Sequence, residues 1–159
     1  MNMGADQRGI MLVELLMAAG IAAMLVGVLG SAIFQLMQVT ERGNDRFRAL
    51  HDVQNAGYWI TLDAKRAQTT SLVEGAQPAG SMSLSWSDGG QSHTATYSLS
   101  GTGLQRDHND TITVVARHIS SVGFSISQGV VTATVTSSPD GRWGVSKQTT
   151  YKICPRPTG

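Results

Sequence analysis

Residues 10–34 read IMLVELLMAAGIAAMLVGVLGSAIF, a run that holds a single ionisable side chain, Glu14, and no proline. At about 1.5 Å per residue it makes roughly 37 Å of helix, enough to cross a hydrocarbon core about 30 Å thick with some tilt. The run predicts a membrane helix. A secretory signal has an apolar region of about 7–15 residues with its cleavage site behind it. Here the polar stretch MNMGADQRG lies in front, so a cut at its end leaves the helix on the mature chain.

Glu14 is the exceptional residue of the run. A carboxylate inside an apolar span costs on the order of 2.5–3.5 kcal/mol on insertion scales. Two arrangements lower that cost. Near the interface the group reaches water or takes up a proton. Alternatively, cleavage before Ile10 creates a free amine, and that amine on a neighbouring copy offsets the charge when helices bundle. At about 4 Å and an effective dielectric near 20 the attraction is about 4 kcal/mol, comparable with the insertion cost. Ala19, Ala23, Gly27 and Ser31 recur every four residues, a small-residue stripe of the kind that lets membrane helices approach closely.

The stretch RGIMLVELLMAAGI resembles the type IV prepilin signature: a Gly, a hydrophobic residue, further apolar residues, a Glu and a Leu-rich run. Gly9 stands at the cleavage position, Ile10 is the first mature residue and Glu14 the fifth. The resemblance implies cleavage between Gly9 and Ile10 by a prepilin peptidase/methyltransferase on the cytoplasmic face, and methylation of the new amine on Ile10, which keeps its charge. It also implies a single-pass protein of the bacterial cytoplasmic (inner) membrane with its C-terminal domain outside the cytoplasm. Its partners would be other pilins or pseudopilins, met through the N-terminal helices, and an inner-membrane assembly platform. Two departures stand out. Ile10 replaces the more usual Phe, and Ser31 stands where many major pilins carry a helix-kinking Pro.

Beyond Phe34 a helical period continues. Phe47, Leu50, Val53, Gly57, Ile60, Ala64 and Ala67 recur every three or four residues and predict one apolar stripe. Arg46, Arg48, Asp52, Asp63, Lys65 and Arg66 are expected on the opposite, solvated face. Gly43, Asn44 and Asp45 are the expected point of bending or restart, with Asn44 or Asp45 as a cap. From Met82 the texture changes to short alternating runs between turn residues, with MSLSWS and HTATYSLS flanking DGGQ, a hairpin signal. Further strands are expected over 103–106, 111–115, 122–127, 130–137 and 146–153. Leu84, Trp86, Val131, Ala133 and Val135 are expected to face the core.

The fold class expected is α+β: a long N-terminal helix packed on a mainly antiparallel sheet. The expected layout is a leader over 1–9, a membrane helix over 10–34, an amphipathic continuation over 35–70 and a β-rich domain over 71–159.

Catalytic signals are missing from this pattern. His51, His93, His108 and His118 fall in no metal-binding or nucleophile-elbow spacing, and no catalytic residue, metal ligand or cofactor is expected. Asp107, Asn109 and Asp110 in RDHNDT could offer oxygens to calcium, but the run lacks the Gly and distal Glu of an EF-hand loop and reads as a polar hairpin turn. Trp59 and Trp86 are expected to pack, and Trp143 in GRWG to be exposed. Arg156 in the tail is a candidate surface contact. Cys154 is the lone cysteine, which excludes an intrachain disulfide. Twelve Lys and Arg against eleven Asp and Glu give a charge of +1, so nothing argues for bulk binding of nucleic acid.

VQNAGYWITLDAKRAQ, YSLSGTGLQRD and HISSVGFSI resemble the W-type minor pilins and the J-type minor pseudopilins of type II secretion. That resemblance implies a minor subunit at or near the tip of a type IV pilus or a pseudopilus. The competing expectation is a non-polymerising membrane-anchored binding module, for adhesion or DNA uptake. A secreted hydrolase with an uncut signal anchor is disfavoured by the missing catalytic constellation.

Overall fold

The computed structural model describes the backbone over residues 6–141 and 144–155, and side chains from residue 11 onward within those limits. Among the described residues one helix, α1 (Asp6–Arg66), is followed by eight strands: β1 (Thr69–Thr70), β2 (Ser81–Asp88), β3 (Gln91–Ser100), β4 (Gly103–His108), β5 (Thr111–Ala116), β6 (Ile119–Ser127), β7 (Val130–Ser137) and β8 (Lys147–Ile153). The class is α+β. The chain divides into two compact units, Met1–Glu41 and Arg42–Gly159.

The first unit is helix alone. From Met11 to Val39 its large apolar side chains stand exposed: Met11 is 72% accessible, Leu15 70% and Met24 76%. A soluble monomer rarely leaves so much contiguous apolar surface in water. The helix is long and apolar enough to cross a membrane once, and no residue of its most apolar stretch is buried by the protein itself.

The second unit builds its own core. α1 is helical through Gly43, Asn44 and Asp45, so the helix does not break and restart there. Asp45 is not a cap but a nearly buried side chain, 9% exposed. The buried face runs through Ala49, Val53, Ala56, Ile60, Ala64 and Ala67. This corrects the expected stripe at its start, because Phe47 is 73% and Leu50 38% exposed. It also corrects the opposite face: Asp52 and Asp63 are buried. The physical reason lies in the helical period. Asp45, Asp52 and Asp63 are separated by seven and eleven residues, close to two and three turns of 3.6 residues, so all three lie along one line beside the apolar stripe.

The strands expected as one sheet form two. β1-β2-β3-β4-β5 is a five-stranded antiparallel sheet and β6-β7-β8 a three-stranded one. The division falls at His118, whose φ of 51° puts a non-glycine residue in the left-handed region and turns the chain away from β5. The hairpins close on short turns with positive φ, including Asn109–Asp110 (50° and 65°) between β4 and β5, the arrangement whose twist matches that of the flanking strands. The two sheets meet where Tyr97 of β3 packs on Phe124 of β6, ring centres 6.4 Å apart. The outer edge of β6 is covered by the loop between β1 and β2, where Ala79 and Phe124 exchange two hydrogen bonds of 2.8 Å. Leu84, Val131, Ala133 and Val135 face the core, as does Trp86.

Tyr151 of β8 crosses α1 at Gly57. Its hydroxyl donates to the carbonyl of Val53 at 2.8 Å, and a Cβ at position 57 would overlap the ring. The absent side chain is therefore what lets ring and helix touch. Gly57→Ala is expected to destabilise the domain by about 1–3 kcal/mol through overpacking. Tyr151→Phe, which loses one hydrogen bond, is expected to cost about 1 kcal/mol. Thermal unfolding of the full chain in detergent measures both. An unchanged midpoint for Gly57→Ala would mean the ring does not seat on the helix.

Candidate functional site

Two polar clusters join α1 to the sheets. In the first, Asp63 is fully buried and its Oδ2 accepts hydrogen bonds from the Tyr97 hydroxyl at 2.5 Å and from Arg106 Nε at 2.6 Å. Arg106 Nη2 donates to Oδ1 at 3.0 Å. The guanidinium thus grips the carboxylate with two parallel bonds while lying 5.0 Å from the centre of the Trp59 ring, a cation–π distance. Burial, and then the hydrogen bond to Asp63, pushes the Tyr97 hydroxyl above its ordinary value. The hydrogen bond to Asp63 raises Arg106, against the opposing effect of burial.

In the second, Asp52 Oδ1 accepts from the Arg117 backbone N–H at 3.1 Å, and Oδ2 from His118 Nδ1 at 3.0 Å and Ser137 Oγ at 3.4 Å. The His118 carbonyl accepts from the Ser138 N–H at 2.7 Å and lies 3.1 Å from Ser137 Oγ. Asp52, Ser137 and Ser138 thus hold one left-handed residue in place. Asp, His and Ser stand together here, but Ser137 is hydrogen-bonded to the carboxylate and a backbone carbonyl. A nucleophile relay needs the serine on the imidazole.

The histidines scattered in the sequence come together in pairs. His51 and His118 line one groove of about 390 Å³ with Phe47, Arg48 and Asp52. His93 and His108 lie 5.6 Å apart with near-parallel rings, each within 5.7 Å of the Trp86 ring. Asp107, Asn109 and Asp110, the residues of RDHNDT that carry side-chain oxygens, have separate surroundings. Asn109 Oδ1 accepts from the Thr94 N–H at 2.9 Å, Asp110 is exposed in the turn, and Asp107 projects from the outer face of β4, since Arg106 and His108 take the inner one. Among the described residues, no three His, Cys, Asp or Glu are placed to hold a metal ion.

Glu14 is exposed on α1. Gly9 and Ile10 are helical in backbone, but their side chains lie outside the described residues, as does most of the leader 1–9. Trp143 and Arg156 are outside them too. No family model, curated protein or solved structure matches the chain.

Tyr97 gives the domain a predicted alkaline limit. Its proton is held more tightly folded than unfolded, so the stabilisation is fully present below the unfolded value of about 10 and falls as pH rises above it. Stability should therefore decline from about pH 10 upward, and Tyr97→Phe should flatten that decline while lowering stability at neutral pH. Asp63→Ala, which strands a half-buried guanidinium, is expected to cost about 3–5 kcal/mol. Urea unfolding across pH 7–11 measures all three. An identical alkaline slope in Tyr97→Phe would exclude this phenol as its origin.

Proposed function

We propose that the chain is the precursor of a type IV pilin-like filament subunit, a minor pilin or a pseudopilin of type II secretion, anchored in the bacterial inner membrane before assembly. The observation that carries this reading is the contrast between the two units. The second closes its own core and meets the buried carboxylates of Asp52 and Asp63 with its own donors. The first is helical, and its apolar run 10–34 carries one carboxylate, Glu14, at the fifth position after Gly9. Lipid solvates the apolar side chains but not a carboxylate. A bundle of like helices, each beginning with the amine freed at Ile10, accommodates both. In this scheme prepilin peptidase cuts between Gly9 and Ile10 and methylates Ile10, and the subunit joins other pilins or pseudopilins through α1 at an assembly platform.

Glu14→Ala should leave cleavage after Gly9 intact and abolish incorporation into filaments. N-terminal sequencing of the mature chain and immunoblotting of sheared filaments report the two effects. Normal incorporation of the variant would sink the role given to Glu14.

One feature favours the opposite orientation. Arg42, Arg46 and Arg48 follow the apolar run, whereas Arg8 alone precedes it, and the positive-inside rule acting by itself would place the β domain in the cytoplasm. Cys154, exposed and the only cysteine, decides between the two. In the proposed orientation a membrane-impermeant maleimide labels it in intact spheroplasts. Labelling only after permeabilisation would reverse the topology and remove the pilin reading.

A further inference from the structure

The edges of the two sheets are not equally closed. β1 is two residues long, and the outer edge of β6 is covered at Ala79. β5 and β8 are open: among the described residues, no segment other than β4 and β7 hydrogen-bonds to their backbones. β5 carries no charge of its own, the usual deterrent on an exposed strand, and Ile112 and Val114 stand exposed on it. The turns fix which backbone groups are unpaired. His108 and Thr111 flank the two-residue turn Asn109–Asp110 and so bond to each other, and by alternation Ile112 and Val114 aim their N–H and C=O groups outward. Ser127 and Val130 flank the turn Gln128–Gly129 in the same way. Counting on from Val130, Thr149, Tyr151 and Ile153 bond to β7, and Gln148, Thr150 and Lys152 aim theirs outward. On both edges these outward-bonding residues carry their side chains on the face away from α1: Ile112 opposite Asp107, and Thr150 opposite Thr134. The two edges therefore match in hydrogen-bond phase and in face.

They are complementary in charge. β5 is bordered by Asp110 and by Asp107, whose Oδ1 meets no donor, whereas β8 carries Lys147 and Lys152. Two β8 edges repel each other, and a β5 edge attracts a β8 edge. We infer that β5 of one copy pairs antiparallel with β8 of a second copy, Ile112 facing Thr150 and Val114 facing Gln148, which sets Lys152 beside Asp110. That charge pair selects the antiparallel sense, since a parallel strand in the same phase would carry Lys152 toward Arg117. The aliphatic stem of Lys152 then lies diagonal to Ile112 and covers part of it. Such a contact is head-to-tail and repeats from copy to copy. It involves the second unit alone and does not depend on the processing or bundling proposed for α1.

The test uses the full chain in its membrane. Two differently tagged forms, both Cys154→Ser, carry Thr113→Cys and Thr149→Cys respectively; they are coexpressed and oxidised with copper phenanthroline. In the inferred register these two positions form a non-hydrogen-bonded pair with Cα atoms about 4.5 Å apart, within disulfide reach. A disulfide joining the two forms should predominate over dimers of either form with itself. It should also exceed the yield obtained when Asp88→Cys, exposed in the β2–β3 turn, replaces Thr149→Cys. Asp110→Lys in the first form should lower the mixed yield about threefold, the loss of one cross-strand charge pair. Lys152→Asp in the second form should then restore it, which also reports that the charge-reversed chains are folded. Predominant dimers of the Thr113→Cys form with itself would assign β5 to a symmetric pairing and overturn this one. A disulfide from Thr113→Cys to a different protein would do the same, as would a mixed yield no higher than the Asp88→Cys control or one that ignores both charge changes.

Discussion

The contact between α1 and the five-stranded sheet is built around a carboxylate that water cannot reach. Taking Asp63 out of water costs several kcal/mol unless its oxygens are met by well-placed donors. Those donors come from two strands at once: Tyr97 on β3 and Arg106 on β4 stand directly opposite each other in the ladder. A slip of one residue in either strand would turn its side chain to the outer face and leave the carboxylate short of a partner. The apolar alternation of Leu84, Ala95 and Leu104, all fully buried, favours the same register. Burial supplies most of the favourable energy, and the buried ion pair penalises the alternatives. Asp52 acts similarly one region away, holding the bend between β5 and β6 to the helix through Arg117 and His118.

How much of this could be read in the sequence follows from the range of each interaction. The strands announced themselves because alternation and turn residues are local signals: every run expected from Met82 onward lies on a strand, and the RDHNDT stretch does make a hairpin turn at Asn109–Asp110. Division into two sheets was not legible, since it depends on one left-handed histidine with nothing unusual about its neighbours in the chain. The helix stripe misled at Phe47 and Leu50 because hydrophobicity marked them as core. It also misplaced Asp52 and Asp63 because charge marked them as surface. Their partners lie 34 to 85 residues away, beyond any spacing rule. The one local clue was the seven- and eleven-residue separation of Asp45, Asp52 and Asp63. The groove histidines, His51 and His118, were visible only as two isolated residues.

The two units treat their solvent differently. The globular unit covers its core and turns hydroxyls outward: Ser83 meets Thr96 at 2.9 Å, Ser85 meets Thr94 at 3.2 Å, and on the second sheet Thr134 meets Thr150 at 3.2 Å. Such cross-strand pairs suit an exposed sheet face and explain how a domain with few charges avoids presenting an apolar surface. The open edge at β8 is flanked by Lys147 and Lys152, charges that discourage pairing between two such edges.

The first unit leaves the apolar side chains of its helix uncovered, and under the proposed function Glu14 limits what can surround them. An apolar helix that served only to tether a domain would be best satisfied by lipid along its whole length, and a carboxylate within it would carry an insertion cost of about 2.5–3.5 kcal/mol with no return. The cost is recovered where the helix is surrounded by others that present a positive group at the right depth, because the attraction strengthens as the site loses water. In the proposed scheme the amine freed at Ile10 would be such a group, created only by removal of the leader. The same carboxylate that burdens the solitary helix in lipid therefore favours the bundled one, which makes Glu14 the residue on which the choice between tether and filament subunit turns.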